Sequence, residues 1–479
     1  MTIASFGFLA FSFLTVLLYN AHPNATWRKW ILLLADLCFL STFERQPTVF
    51  LPLVAFLLWG YGCVRLAKFH RLRIVYIGIL YGTLLFFVWL KKYSFLPAIT
   101  FLPFLYTTLG LSYIFFRVMH LIIETHAGSI DGEIGPIEYL NYTLNFTTLV
   151  SGPIQRYAEF ADQHLAPVRP SLSLIDLGIG LERIIVGLFK VNVLGLVFST
   201  VQAQALARLS PDQTFWERIF TGFLIVTIYP IYLYFNFSGY TDIVIGIARF
   251  LRIRLPENFN RPFSAVNFLE FWNRWHMTLS NWLKNYVYNP LLIGAMRRFS
   301  SEAVEPLLGV MAFFVTFFLI GLWHGRTSVF IFYGILLGLG VSINKIYQIE
   351  MAKRFGKKRY KALSANWAYQ SICRGLTFTF FTFSLLWFWS NWTDIGATAR
   401  RLGKPAYALM WLVILLVATL SLALWEWGRA LVLRISISRQ SIVLSRYTRT
   451  VWATILFVIT LLAMELLSTP APDIVYKTF

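Results

Sequence analysis

Two short stretches of this chain hold residue types that can move protons. Phe271-Trp-Asn-Arg-Trp-His276-Met-Thr-Leu-Ser280 and Gly321-Leu-Trp-His324-Gly325 each place a histidine directly after a tryptophan. A neutral imidazole titrates near pH 7 and can take a proton from an attacking hydroxyl, which is general-base work. The first stretch lies in amphipathic sequence between apolar spans, and the second ends a long apolar span. A titratable group at membrane depth is costly, so it is a functional candidate by default. The chain has only seven histidines, and these two are expected to form one reaction centre. Pattern alone leaves blander readings open. His324 could be hydrogen-bonded at a span end, and His276 could be an ordinary interfacial histidine.

Other polar residues are weaker candidates. Asn236-Phe-Ser-Gly-Tyr-Thr-Asp242 interrupts two apolar stretches. Asp242 at membrane depth needs a partner, with Arg249 or Arg274 able to supply it. An ion pair is as good a reading there as a catalytic acid. In Ser151-Gly-Pro-Ile-Gln-Arg156, Arg156 is a possible ligand contact, because arginine suits phosphate, while a helix break lining a cavity is the plainer reading. Ser151 lacks a Gly-x-Ser-x-Gly setting and is rejected as a nucleophile. His22, His70, His120, His126 and His164 are read as loop or span-end residues. Cys38, Cys63 and Cys373 are scattered, with neither metal-ligand nor disulfide spacing.

The elements that must position the two histidines are membrane helices. Of 479 residues, 57% are hydrophobic and 13% charged, against about 25% charged in soluble domains. Apolar runs recur at Ile3–Tyr19, Trp30–Phe43, Val49–Val64, Val75–Leu90, Leu96–Ile123, Leu172–Phe198, Ile219–Tyr234, Tyr240–Leu251, Leu307–Trp323, Val329–Ile346, Ile372–Trp389, Met410–Trp425 and Trp452–Leu467. Tyr139–Val150 reads as a partial or re-entrant segment. The expectation is an all-α polytopic membrane protein with about 11–14 membrane helices, re-entrant and interfacial ones included. The N-terminal run is read as a first span, not a removable signal.

Net charge is +20. The positive-inside rule and anionic headgroups explain it better than nucleic acid, for which no reader module is present. The basic stretches Arg65–Arg73 and Lys353–Lys361 are read as cytoplasmic loops, which leaves Lys91-Lys92 on the opposite side. In Phe268–Tyr288, apolar residues recur at helical spacing, so an interfacial or dipping helix is expected. Trp275, Arg274, Asn273, Ser280 and Asn285 lie on it and Trp323 beside His324; all are expected to bind substrate or to line the cavity that such a region between spans implies, together with Arg156 and Asp242.

Several stretches together resemble one family. They are Ser151-Gly-Pro-Ile-Gln-Arg-Tyr157, Phe237-Ser-Gly-Tyr-Thr-Asp-Ile-Val-Ile-Gly246, Leu255-Pro-Glu-Asn-Phe-Asn-Arg-Pro-Phe263, Glu270–Ser280 and Gly321–Gly325. In this order the chain resembles the membrane-bound O-acyltransferase family, in the bacterial branch of alginate O-acetyltransferase membrane subunits and teichoic acid D-alanyl transfer proteins. The resemblance implies a core over residues 105–350 between N-terminal (1–104) and C-terminal (351–479) helices. It makes His324 the catalytic histidine and His276 the second active-site histidine. It implies a thin partition pierced by a tunnel, where a cytosolic acyl donor meets an acceptor from the other face of a bacterial inner membrane. The implied donor is acetyl-CoA or an acylated carrier protein, with no bound cofactor or metal. The implied acceptor is an exported polysaccharide, reached directly or through a periplasmic acetyltransferase partner. Trp282-Leu-Lys-Asn-Tyr286 departs from the branch's usual Trp-Leu-Arg-Asp-Tyr, and Asn285 replaces a carboxylate.

Overall fold

A backbone in lipid must satisfy its own N–H and C=O groups, so long uncharged runs close into helices. The computed structural model describes residues 2–69, 72–166, 171–299, 301, 304–438 and 446–466. His70, Arg71 and Leu467 lie outside these. The described elements are helical, apart from one isolated bridge between Phe259 and Trp275. In chain order the helices are α1 (Phe6–Asn20), α2 (Ala25–Ser41), α3 (Leu51–Phe69), α4 (Arg73–Leu90), α5 (Leu111–Ala127), α6 (Pro136–Leu144), α7 (Tyr157–His164), α8 (Leu174–Phe189), α9 (Leu196–Arg208) and α10 (Phe215–Phe250). There follow α11 (Phe268–Trp272), α12 (Met277–Leu283), α13 (Asn289–Arg298), α14 (Glu305–His324), α15 (Ser328–Phe355), α16 (Lys357–Ala365), α17 (Trp367–Trp389), α18 (Trp392–Leu402), α19 (Lys404–Ser438) and α20 (Arg446–Leu466). Wide π turns join α8 to α9 and α12 to α13.

Nine helical segments among the described residues are long and apolar enough to cross a membrane. Their outer faces carry large bare side chains, among them Leu58, Ile74 and Leu424. Such faces suit a lipid solvent, where apolar exposure costs nothing. The chain is an all-α, multi-pass membrane protein.

Contacts divide it into two compact units. One comprises Met1–Val193, Asn236–Pro256 and Leu456–Phe479, and the other Leu194–Phe235 and Glu257–Ile455. In the first, buried Arg117 of α5 donates to the carbonyls of Tyr142, Thr143 and Thr148 at 3.1, 2.8 and 2.7 Å. Tyr142 and Thr143 lie in the last turn of α6, where carbonyls lack helical partners, and Thr148 lies in the turn that follows. The helix therefore ends inside protein at Leu144, and the Tyr139–Val150 segment is a short helix followed by turns.

Three expectations need correction. Leu96–Ile123 is not one span. Pro97, Pro103 and Gly110, whose φ is +68°, keep residues 96–110 out of the helix, which starts at Leu111. The stretch Asn236–Gly239 does not interrupt anything, because α10 runs through it. Gly239 serves a close crossing instead. A Cβ on Gly187 would meet the Gly239 carbonyl at 2.6 Å, so α8 and α10 touch backbone to backbone. The basic run Lys353–Lys361 is no loop, since α15 and α16 meet at Gly356 within it, its φ being +78°. Lys91 and Lys92 each have a protein partner. Lys91 is buried, its Nζ 3.0 Å from Ser112 Oγ, and Lys92 Nζ lies 3.9 Å from the centre of the Tyr106 ring. Both are held by protein and do not act as loop cations.

Candidate active site

The His324 motif is built by helix crossing. α14 and α15 pack so closely that a Cβ on Gly321 would overlap the backbone of Gly334, and one on Gly334 would meet the Phe318 carbonyl at 2.5 Å. Small residues at such a seam let two helices approach without a groove. One turn beyond Gly321, His324 is the last residue of α14 and 2% exposed. Gly325 follows in extended backbone, with the Phe330 ring lying where a Cβ would stand. The imidazole of His324 meets Trp323 at 4.7 Å, Phe388 at 5.1 Å and Tyr333 at 5.9 Å between ring centres, edge-on to each. Aromatic side chains thus pack around the buried imidazole.

His276 is placed by a break. The helical period over Phe268–Tyr288 predicts one helix, but α11 stops at Trp272 and α12 starts at Met277. Between them His276 takes the left-handed conformation, φ 44° and ψ 51°. Histidine is among the few non-glycine residues enriched there. The turn is held by the segment before α11. Asn260 N–H donates to the Arg274 carbonyl at 2.9 Å, and Met277 N–H to the Asn258 carbonyl at 2.9 Å. Phe259 and Trp275 bridge between them. His276 is 1% exposed, and burial pushes its imidazole down to about 3. It is a neutral ring throughout the ordinary pH range, suited to hydrogen bonding more than to carrying charge.

Trp323 joins the two motifs. Its indole lies 6.1 Å from the His276 ring and 4.7 Å from the His324 ring. Two buried imidazoles therefore flank one indole, each on a helix end within the same compact unit.

Comparison with known proteins fits this geometry. The model of the membrane-bound O-acyltransferase family matches residues 69–386. The chain belongs to that family. It is 30% identical to a teichoic acid D-alanyltransferase of Bacillus subtilis over 54% of this chain and 62% of the relative. It is 32% identical to a peptidoglycan O-acetyltransferase of Helicobacter pylori over 44% of this chain and 38% of the relative. With a probable alginate O-acetylase of Pseudomonas fluorescens it shares 29% identity over 51% of this chain and 46% of the relative. The chain thus spans roughly two fifths to three fifths of the length of these relatives.

The remaining sequence candidates of this family member fall into three settings. Ser280 sits one turn past His276, and its N–H donates to the His276 carbonyl at 3.1 Å. Its Oγ is buried and has no hydrogen-bond partner among the described residues. Asn285 is half-buried in the π turn after α12. Trp275 packs into the scaffold behind the turn, 5.6 Å from Phe271 and 5.1 Å from Phe259 and Phe381. Arg274 pairs with Glu270 at 2.7 Å along α11, and Asn273 is exposed at its C-terminus. In the other unit Arg156 is exposed at the start of α7.

Asp242 does not pair with Arg249 or Arg274. The glycine crossing of α8 and α10 brings it to Arg183 at 2.9 Å and Lys190 at 2.6 Å, while Arg249 pairs with Asp176. Asp242 is a helix–helix ion pair in this structure.

Several residues were not singled out from sequence. Tyr333 and Phe388 wall His324 but lie in featureless apolar runs. Asn258 was visible within Leu255–Phe263 but carried no role. His120 and His164, read as loop or span-end residues, are core groups. Tyr157 N–H donates to His120 Nε2 at 3.0 Å, and fully buried His164 contacts Tyr19 Oη at 2.7 Å through Nδ1 and Asn141 Nδ2 at 3.3 Å through Nε2.

Proposed function

We propose that this protein moves an acetyl group from cytosolic acetyl-CoA to a hydroxyl of an exported polysaccharide, directly or through a periplasmic partner enzyme, at a bacterial inner membrane. The observation that carries the reading is the pair of buried imidazoles flanking Trp323. In the step, the acceptor O–H proton passes to a His324 ring nitrogen as the oxygen attacks the thioester carbonyl carbon. The tetrahedral adduct then loses the thiolate, which takes the proton back from the imidazolium. Ester and free thiol are the products, and His324 returns to its starting form. His276, neutral and fixed, orients the reacting groups, and the aromatic walls keep water from the thioester. Exposed Lys353, Arg354, Lys357, Lys358, Arg359 and Lys361 draw an anionic donor towards the protein.

A second reading has its own support. Two relatives named teichoic acid D-alanyltransferase match over 53–54% of this chain. In that reading the same chemistry transfers D-alanine from an acylated carrier protein, which is also anionic.

Purified protein in detergent, given radiolabelled acetyl-CoA and a polysaccharide acceptor, tests the reading, with His324→Ala beside it. Label released or transferred by wild type alone supports it. Turnover only with D-alanyl carrier protein replaces it with the second reading. Equal turnover by His324→Ala removes the assigned base.

A further inference from the structure

Helix α12 begins without the help of its own N-cap residue. His276 occupies the cap position, and its side chain makes no capping bond. The first N–H groups of a helix need acceptors from elsewhere. Here they come from a residue far back in the chain. Met277 N–H donates to the Asn258 carbonyl at 2.9 Å. Thr278 N–H and Thr278 Oγ1 donate to Asn258 Oδ1 at 3.2 and 2.9 Å. The backbone donor at Thr278 fixes which end of the Asn258 amide is oxygen. Asn258 is fully buried, and its Nδ2 has no hydrogen-bond partner among the described residues.

We propose that Asn258 is a positioning residue for acyl transfer, capping α12 in place of His276 so that the His276 imidazole can face Trp323. This deepens the function proposed above and rests on it. A histidine at a helix N-cap has two uses for its side chain: to bond back to the helix, or to point away. Asn258 satisfies the donors that would favour the first. The same bonds lock the left-handed turn, a backbone conformation that is strained for a residue with a Cβ. Without Oδ1, the turn relaxes towards ordinary backbone and the imidazole leaves the indole. Asn258 acts through His276 and touches no reacting atom in this scheme.

The test compares Asn258→Ala, which removes both Oδ1 bonds to Thr278 and leaves the main-chain carbonyl of residue 258 on Met277 N–H, with Asn258→Asp, which keeps an acceptor oxygen and replaces the unbonded amide nitrogen with a second oxygen. Two readouts are taken on detergent-purified protein. The first is kcat and KM for the donor. Asn258→Ala is expected to lose about 10²-fold in kcat, the cost of a displacement near 1 Å, with KM changed less than about threefold. Asn258→Asp should recover most of that loss. The second is the rate of diethyl pyrocarbonate labelling at His276, mapped by mass spectrometry. It should rise at least about tenfold in Asn258→Ala, as a 1%-exposed ring becomes reachable, while His324, 2% exposed in the same unit, and fully buried His164 in the other stay protected and report that both units are intact. Wild-type kcat in Asn258→Ala overturns the proposal, as do two equally impaired variants with His164 protected. Unchanged His276 labelling in Asn258→Ala overturns it too. Wild type that labels as expected but turns over no acyl donor sinks the proposed function and leaves the positioning role standing.

Discussion

The ring of Trp323 lies 6.1 Å from the ring of His276, tilted by 45°, although 46 residues separate the two in sequence. The same indole abuts its neighbour His324. One side chain therefore joins two separate motifs, and its loss should be felt by both. Trp323→Ala is expected to lower acyl transfer by about 10–10²-fold through misplacement of the rings. Trp323→Phe should retain more, because an aromatic ring still packs beside the imidazoles. Initial rates with labelled donor measure both. Unaltered rates in Trp323→Ala would show that the indole is filler.

The two histidines have unequal roles in the proposed step. His324→Ala should lose about 10²–10⁴-fold, the range of a positioned general base. His276→Ala should lose less. The double variant should be scarcely worse than His324→Ala, because residues acting as a unit are not additive. Rates for the three variants, at matched levels of folded protein, test this ranking.

His276 also makes a pH prediction. It lies outside the nine apolar segments, and its folded value of about 3 is below its ordinary value of about 6.5. Between those values the unfolded chain binds a proton that the folded chain does not. The contribution is whole above about pH 6.5 and is lost as pH falls towards about 3, at up to about 1.4 kcal/mol per pH unit. His276→Gln removes that term. Thermal unfolding in detergent from about pH 4 to 6.5 should show a shallower decline for the variant. Equal slopes would mean that residue 276 is not held neutral.

Close helix approach predicts which glycines tolerate a methyl group. Gly321→Ala places a Cβ in the Gly334 backbone, and overpacking of this kind costs about 1–3 kcal/mol. Its melting temperature and its activity should both fall, since His324 is one turn away. Gly62→Ala on α3 meets nothing within 4 Å and should be neutral or slightly stabilising.

Asp242 of α10 and Asp176 of α8 should differ sharply. Asp242 is shared by Arg183 and Lys190 and is 12% exposed, whereas Asp176 is 34% exposed in its pair with Arg249. Asp242→Ala is expected to cost about 3–5 kcal/mol, as for removal of one partner from a buried pair. Asp176→Ala should be close to neutral, as for an exposed ion pair. Detergent-resistant folded yield after heating ranks them.

Local chemistry was enough to identify a membrane protein, most of its apolar helices and the two histidine stretches. Apolar runs act over one segment at a time, and the cost of a titratable group in lipid applies whatever lies next to it. The family resemblance likewise rests on short stretches read in order. Tertiary structure decided everything that depends on two distant segments meeting. The helical period through Phe268–Tyr288 could not reveal a left-handed residue at its centre, because that turn is held by hydrogen bonds from residues 258–260. Asp242 found Arg183 and Lys190 because glycines let α8 and α10 touch, which no charge count foresees. The aromatic wall around His324 comes from Tyr333 and Phe388, each indistinguishable in sequence from any other residue of an apolar helix. A side chain's chemistry is local, but what it faces is set by packing.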